Sequence, residues 1–127
     1  MLNLAAIHEA IANEIPDREC LVFRDRRFTW SDVTDRTRRL ARVLRDAGLG
    51  CHTEREGLAN WESGQDHVAL YLYNGNEYLE GMLGAMKARC APFNVNYRYV
   101  EEELIYLFEN AQARAVVFHA GFAPTLE

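Results

Sequence analysis

Near the start of the chain Leu4, Ile7, His8, Ile11 and Ile15 recur with helical spacing. Pro16 drives the residue before it out of helical geometry, so the first helix is expected to end there. Residues 20–23 and 28–30 are short β-prone runs, and the polar Arg24-Asp25-Arg26-Arg27 between them has the length of a hairpin connection. A second helix follows. Ser31 is placed to cap it, Asp32 and Asp35 suit its positive end, and Val33, Leu40, Leu44 and Ala47 form its apolar stripe. Gly48 stops it, and Leu49 stands where a left-handed glycine cap gains a hydrophobic contact.

After residue 67 the pattern becomes longer and more regular. Residues 68–73 read as a buried strand, Asn74-Gly75-Asn76 as a turn, and residues 77–89 as a helix with Leu79, Met82, Leu83 and Met86 facing inward. Gly81 and Gly84 within that helix each cost roughly 1 kcal/mol against alanine, which implies close backbone packing on a sheet. Residues 91–95 make the next strand. Glu101-Glu102-Glu103 opens a helix carrying Leu104, Ile105, Leu107 and Phe108, and residues 115–118 supply the last strand. The sum is βαβαβ, whose crossovers give a three-stranded parallel sheet with right-handed connections. The expected fold class is α/β in one unit: helix, hairpin and helix over 1–50, an insertion loop over 51–66, and the βαβαβ unit over 67–127, half of a doubly wound fold.

Composition narrows the function classes. A chain of 127 residues that is 49% hydrophobic and 26% charged has the apolar material for one core and is unlike a disordered segment. Its net charge of -5 gives no positive footprint for nucleic acid. Cys20, Cys51 and Cys90 are odd in number and widely spaced, which fits a reducing cytoplasm better than a disulfide framework. The N-terminal stretch lacks a basic region and is broken by His8, Glu9, Asn13 and Glu14, so neither a signal peptide nor a spanning segment is expected, with a peripheral membrane role left open.

Ligands of open α/β folds bind beyond the carboxyl ends of the strands. Asn74-Gly75-Asn76 and Asn94-Val95-Asn96-Tyr97-Arg98 fall there and offer amides, a phenol and a guanidinium, but one glycine is far from a phosphate loop and asparagine suits turns on its own account. Arg98 has Glu101 and Glu102 as alternative partners. His8, His52, His67 and His119 are dispersed and read as partly exposed; Cys51-His52 with His67 matches no strong zinc spacing. Ser63 is in no GxSxG elbow. Arg36, Arg38, Arg39, Arg42 and Arg45 share their helix with Asp32, Asp35 and Asp46 and read as a solvated face. Residues 51–63 lack periodicity, and the expectation is a surface insertion pinned by Trp61, with a lid or partner-binding loop as the alternative.

Taken together, three stretches resemble the N-terminal portion of AMP-forming fatty acyl-CoA synthetases, in the adenylate-forming, AMP-binding superfamily. Residues 27–33, Arg-Phe-Thr-Trp-Ser-Asp-Val, are similar to its early aromatic-Thr-aromatic signature. Residues 74–88 and 91–99 are similar to its Leu-Gly-x-x-Lys-Ala-Gly core and Asn-x-Arg-Tyr continuation, and residues 102–118 extend the likeness. Arg89 stands where the family usually has glycine, Val100 where a capping Thr or Ser is common, and 51–63 where a tight turn is usual.

The resemblance implies a parent reaction of carboxylic acid, ATP and CoA to acyl-CoA, AMP and pyrophosphate, with ATP, Mg²⁺ and CoA used by the parent enzyme. It also implies that the phosphate loop, adenine pocket, acyl tunnel and C-terminal lysine lie beyond Glu127. For these residues alone it therefore implies no catalytic, cofactor-binding or metal residue. The expected role is a structural fragment serving lipid or steroid side-chain metabolism, partnered by the rest of the synthetase and able to self-associate through an exposed sheet edge. Two alternatives stay open: a free-standing non-catalytic module that pairs with a synthetase, and part of another adenylating enzyme such as a peptide-synthetase adenylation domain or an aryl-acid ligase.

Overall fold

The computed structural model describes residues 3–127. Helix α1 (Leu4–Glu14) leads to the antiparallel hairpin β1 (Glu19–Phe23) and β2 (Arg26–Thr29), then to the long helix α2 (Trp30–Asp46). After the connection 47–66 come β3 (His67–Tyr71), α3 (Asn76–Lys87), β4 (Ala91–Asn94), α4 (Glu101–Asn110) and β5 (Ala113–Phe118), with a short terminal helix α5 (Ala123–Leu126). The expected α/β architecture is present: β3, β4 and β5 form a three-stranded parallel sheet in the order β4-β3-β5.

Because β3 is central, its alternating side chains feed two cores. Val68, Leu70 and Leu72 pack with Ala41 and Leu44 of α2 and with Ala85 and Ala88 from α3 and its cap. Ala69 and Tyr71 point the other way, toward Val95, Leu104 of α4 and Phe122. The unbroken apolar run from Val68 to Leu72 is what such double burial demands.

Several local details differ from the sequence reading. The hairpin turn is only Arg24-Asp25, with Arg24 at φ 56°, and Arg26 and Arg27 pair within β2. The cap of α2 is Thr29, not Ser31: the Thr29 hydroxyl accepts from Asp32 N–H at 3.1 Å while the Asp32 carboxylate accepts from Thr29 N–H at 2.8 Å. This reciprocal box starts the helix at Trp30 and takes that residue out of the strand. The other end is as expected, with Gly48 at φ 85° and Leu49 N–H donating to Leu44 C=O at 3.0 Å, the longer bond of a Schellman cap. Ala47, however, is exposed.

The large apolar residues misplace the buried faces of α1 and α3. In α1 the buried positions are His8 and Ala12, whereas Leu4 and Ile7 are exposed. In α3 they are Asn76, Glu80, Gly81, Gly84 and Ala85, and Leu79 lies at the surface. Small residues face inward because the helix sits close to its neighbours. A Cβ on Gly81 would lie 3.0 Å from Leu70 Cδ2 on the sheet, and one on Gly84 only 2.6 Å from Leu40 Cδ2 of α2. One glycine therefore serves the sheet and the other a helix.

The connection 51–66 contains a single 3₁₀ turn, Arg55–Gly57, and a bridge between Cys51 and Gln65. Trp61 does not pin it, being 86% exposed. Polar bonds hold it instead: Arg55 donates to the carbonyls of Ala59 and Glu62 at 2.8 and 3.2 Å, and Gly50 N–H and the His52 ring both engage Asp66. Burial would raise the Asp66 carboxyl, but His52 and the Gly50 N–H outweigh it and hold it below the usual range.

Candidate functional site

The carboxyl ends of the three strands meet in an aromatic cluster. Tyr73, just past β3, lies 5.2 Å from the Tyr97 ring, 5.1 Å from His119 and 4.7 Å from Phe122, centroid to centroid. Tyr71 stacks on Phe122 at 4.3 Å and donates its hydroxyl to Tyr99 C=O at 2.8 Å. Such pairs add roughly 0.5–1.5 kcal/mol beyond the area they bury, so the rim is held by its own rings. Tyr73 and Tyr97 are nevertheless 48% and 38% exposed, leaving an aromatic face open. His119 Nδ1 accepts from Gly121 N–H at 3.0 Å, which starts the turn that delivers Phe122.

Of the two rim clusters singled out from sequence, only one lies on this surface. Asn96 Oδ1 accepts from Arg98 N–H at 3.0 Å, a local turn bond, and Arg98 sits 5.2 Å over the Tyr97 ring rather than pairing with Glu101 or Glu102. Asn76 leaves the rim altogether. It is the first residue of α3, fully buried, with Nδ2 donating to Glu80 Oε1 at 3.3 Å and Oδ1 without a partner. Tyr71, Tyr73 and Phe122 were not singled out from sequence, and His119 only as one of four dispersed histidines; the available signal was an aromatic or imidazole residue just after a strand.

The helix arginines are also not simply a solvated face. Arg36 Nε and Nη2 donate to the Glu80 carboxylate at 2.6 and 3.0 Å, a bidentate tie from α2 to α3. Arg38 forms an ion pair with Glu9 of α1. Lys87 completes the set: its side chain is 6% exposed, and Nζ donates to Glu9 Oε1 at 2.6 Å and Thr37 Oγ1 at 2.8 Å. Burial alone would raise the Glu9 carboxyl, but Arg38 and Lys87 outweigh that and lower it to about 2. The lysine thus joins α1, α2 and α3. Arg39 and Arg42 do pair within α2, with Asp35 and Asp46.

His8 is the histidine that departs from the expected exposure. It is buried 5.3 Å from the Trp30 ring, and neither ring nitrogen has a partner. Burial first, then the nearby Lys87 charge, push its pKa below the usual value. Among the described residues no group of three or more His, Cys, Asp or Glu side chains converges as a metal site. No helix there is long and apolar enough to cross a membrane.

The departures noted in sequence have structural forms. Arg89 adopts φ 63°, the left-handed position that closes α3 and that glycine occupies without strain. At the start of α4 Val100 keeps half of a capping box, its N–H donating to Glu103 Oε2 at 2.8 Å, while its own side chain offers no acceptor. Glu101, Glu102 and Glu103 complement the helix dipole in its place.

Comparison with known proteins agrees with this geometry. Residues 8–126 match the family model for AMP-binding enzymes. The chain is 56% identical over 119 residues to the medium-chain acyl-CoA ligase Mig of Mycobacterium avium, covering 94% of this chain and 22% of that protein. It is 35% identical over 122 residues to the 3-oxocholest-4-en-26-oate–CoA ligase of Rhodococcus rhodochrous, covering 96% of this chain and 20% of that one. It therefore spans about a fifth of the length of these relatives. The inhibitor-bound N-terminal domain of FACL13 from Mycobacterium tuberculosis superposes with a TM-score of 0.82 at 23% identity, over 99% of this chain and 29% of that one, a likeness of fold.

Proposed function

The chain belongs to the AMP-binding enzyme family, and from that premise we propose that residues 1–127 are the N-terminal subdomain of an acyl-CoA synthetase, acting as scaffold for a site completed by further polypeptide. The parent reaction is adenylation of a carboxylic acid by ATP with Mg²⁺, then transfer of the acyl group to CoA. The names of the relatives support a fatty or steroid-side-chain acid as its substrate and a place in lipid metabolism. The cytoplasm is the proposed compartment.

The observation that carries the scaffold role is Lys87. It lies in the stretch most like the family core, yet its ammonium is buried on Glu9 and Thr37, tying three helices together rather than facing a ligand. The residues here also do not fit the nucleotide. The first turn of α3 follows a strand, but that turn already carries the Glu77 carboxylate, paired with Arg26 at 3.1 Å, where a phosphate would have to sit. No adenylation step is therefore routed through these side chains. On the outer surface Val100, Ile105, Tyr106 and Phe118 are 60%, 51%, 70% and 44% exposed, which supports a covering partner, the rest of the synthetase.

The test is ATP–pyrophosphate exchange by the 127-residue chain with a panel of fatty and steroid-side-chain acids. No exchange is expected; acid-dependent exchange would refute the scaffold reading. Light scattering on the same sample is expected to show self-association through the open apolar surface, and a clean monomer would contradict it.

A further inference from the structure

Ser63 closes the 51–63 insertion, four positions before β3 begins at His67. His67 Nδ1 lies 2.6 Å from the carbonyl oxygen of Ala111, and Nε2 lies 2.8 Å from Ser63 Oγ. A carbonyl oxygen can only accept, so in the neutral ring Nδ1 carries the proton and Nε2 is the bare acceptor. The Ser63 hydroxyl therefore donates to Nε2. This is the polarity in which an imidazole removes a serine proton while a third group fixes its tautomer.

The surroundings meet the other needs of a nucleophile. The orienting carbonyl belongs to the C-cap of α4, whose N–H is bonded to Leu107 C=O at 2.8 Å, so it is held by a helix end. The remaining contacts of Ser63 Oγ, to the Gln65 carbonyl and N–H, are both long at 3.4 Å. Ser63 is exposed and, unlike His67, lines a cleft of about 670 Å³, with Leu4, Leu58 and Met86 as apolar wall. That volume lies within the range of small-molecule sites, roughly 300–1,000 Å³. The backbone N–H of Gly64, next along the chain, makes no hydrogen bond among the described residues.

We propose that Ser63 and His67 form a nucleophile–base pair that accepts an acyl group from an activated ester or thioester carrying a compact apolar acyl chain. Ser63 Oγ attacks the carbonyl carbon as its proton passes to His67 Nε2. The tetrahedral species collapses with cleavage of the bond to the leaving oxygen or sulfur, which takes the proton from Nε2 and leaves acyl-Ser63. Water then attacks the acyl carbon, gives its proton to Nε2, and the acid departs as Ser63 regains that proton. The proposal rests on this geometry alone and is independent of the synthetase reading.

The test uses p-nitrophenyl butyrate on the 127-residue chain. The expected result is a burst of p-nitrophenolate, with peptide mass spectrometry placing the butyryl group on Ser63. Ser63→Ala, at an exposed position that leaves the core untouched, abolishes the burst, and His67→Gln slows acylation by about 10²-fold or more. Because His67 opens a strand, Ser63→Cys provides a second reading that keeps His67: it shifts the label to the new thiol. Equal release by wild type and Ser63→Ala, an adduct on Cys51 or His52 instead, or no adduct at all would overturn the proposal.

Discussion

Gly84→Ala is the sharpest test of the packing between α2 and α3. On helix propensity alone the change should stabilise the chain by about 1 kcal/mol. The added Cβ, however, would lie 2.6 Å from Leu40 Cδ2 and 2.9 Å from both Leu40 Cβ and Cγ. The methyl could rotate away, but Leu40 Cβ is fixed to its backbone, so relief requires the two helices to separate. Overpacking of this kind costs up to about 3 kcal/mol, leaving a net loss of about 2 kcal/mol. For a domain of this size that lowers the thermal midpoint by about 8 °C. Gly81→Ala is the internal control, because its new Cβ meets only the tip of one side chain closely, Leu70 Cδ2 at 3.0 Å, with Leu70 Cδ1 and Val117 Cγ1 at 3.9 Å, and stability should stay within about 1 kcal/mol of wild type. Midpoints by circular dichroism or differential scanning fluorimetry decide the matter. A Gly84→Ala midpoint at or above wild type, or an equal fall in Gly81→Ala, would refute the reasoning. Leu40→Ala should be less damaging on the Gly84→Ala background than on wild type, since it removes the obstructing atoms.

Three further outcomes are expected. Glu9 sits at about 2 in the folded chain against 4.5 ordinarily, so its contribution is complete above about pH 4.5 and is lost as pH falls toward 2. Allowing for solvent screening of a side chain that is 26% exposed, this is worth about 2 kcal/mol, and urea midpoints of Glu9→Gln should lose that part of the acid dependence. His8 has a lowered folded pKa, so the unfolded chain binds the proton first and stability declines as pH falls below 6.5; His8→Phe should flatten the midpoint against pH on the acid side of 6.5. Arg89→Gly should raise the thermal midpoint, because it relieves a side chain at φ 63° while giving up only the surface pair with Glu54.

The regular elements of this chain are written locally, in periodicity and in punctuation such as Pro16, Gly48 and the acidic start of α4, and they were legible for that reason. Facing was less so. Leu79 marks α3 as though its large residues turned inward, but a helix packed through Gly81 and Gly84 buries its smallest side chains and leaves larger ones outside. Thr29 and Ser31 are both competent caps two positions apart, and the choice is settled by how far the β1-β2 pairing runs, with Glu19 opposite Thr29. A lone tryptophan suggested an anchor for the insertion, yet Arg55 can close that loop through carbonyls alone. The candidate sites depend on residues brought together from distant parts of the chain. Nothing local ties Lys87 to Glu9, Ala111 to His67, or Tyr73 to Tyr97 and Phe122, so periodicity is silent about them.

The central position of β3 has a consequence for the time at which the chain can fold. During synthesis β3 is complete once Tyr71 has emerged, but its second flanking strand ends only at Phe118, some 47 residues later. At roughly 5–20 residues per second that is a wait of about 2–10 s. Through that interval a strand destined for burial on both faces has at most one neighbour. The nascent chain is then a natural client for an apolar-binding chaperone, and slowing translation between residues 72 and 118 should lengthen its exposure in direct proportion.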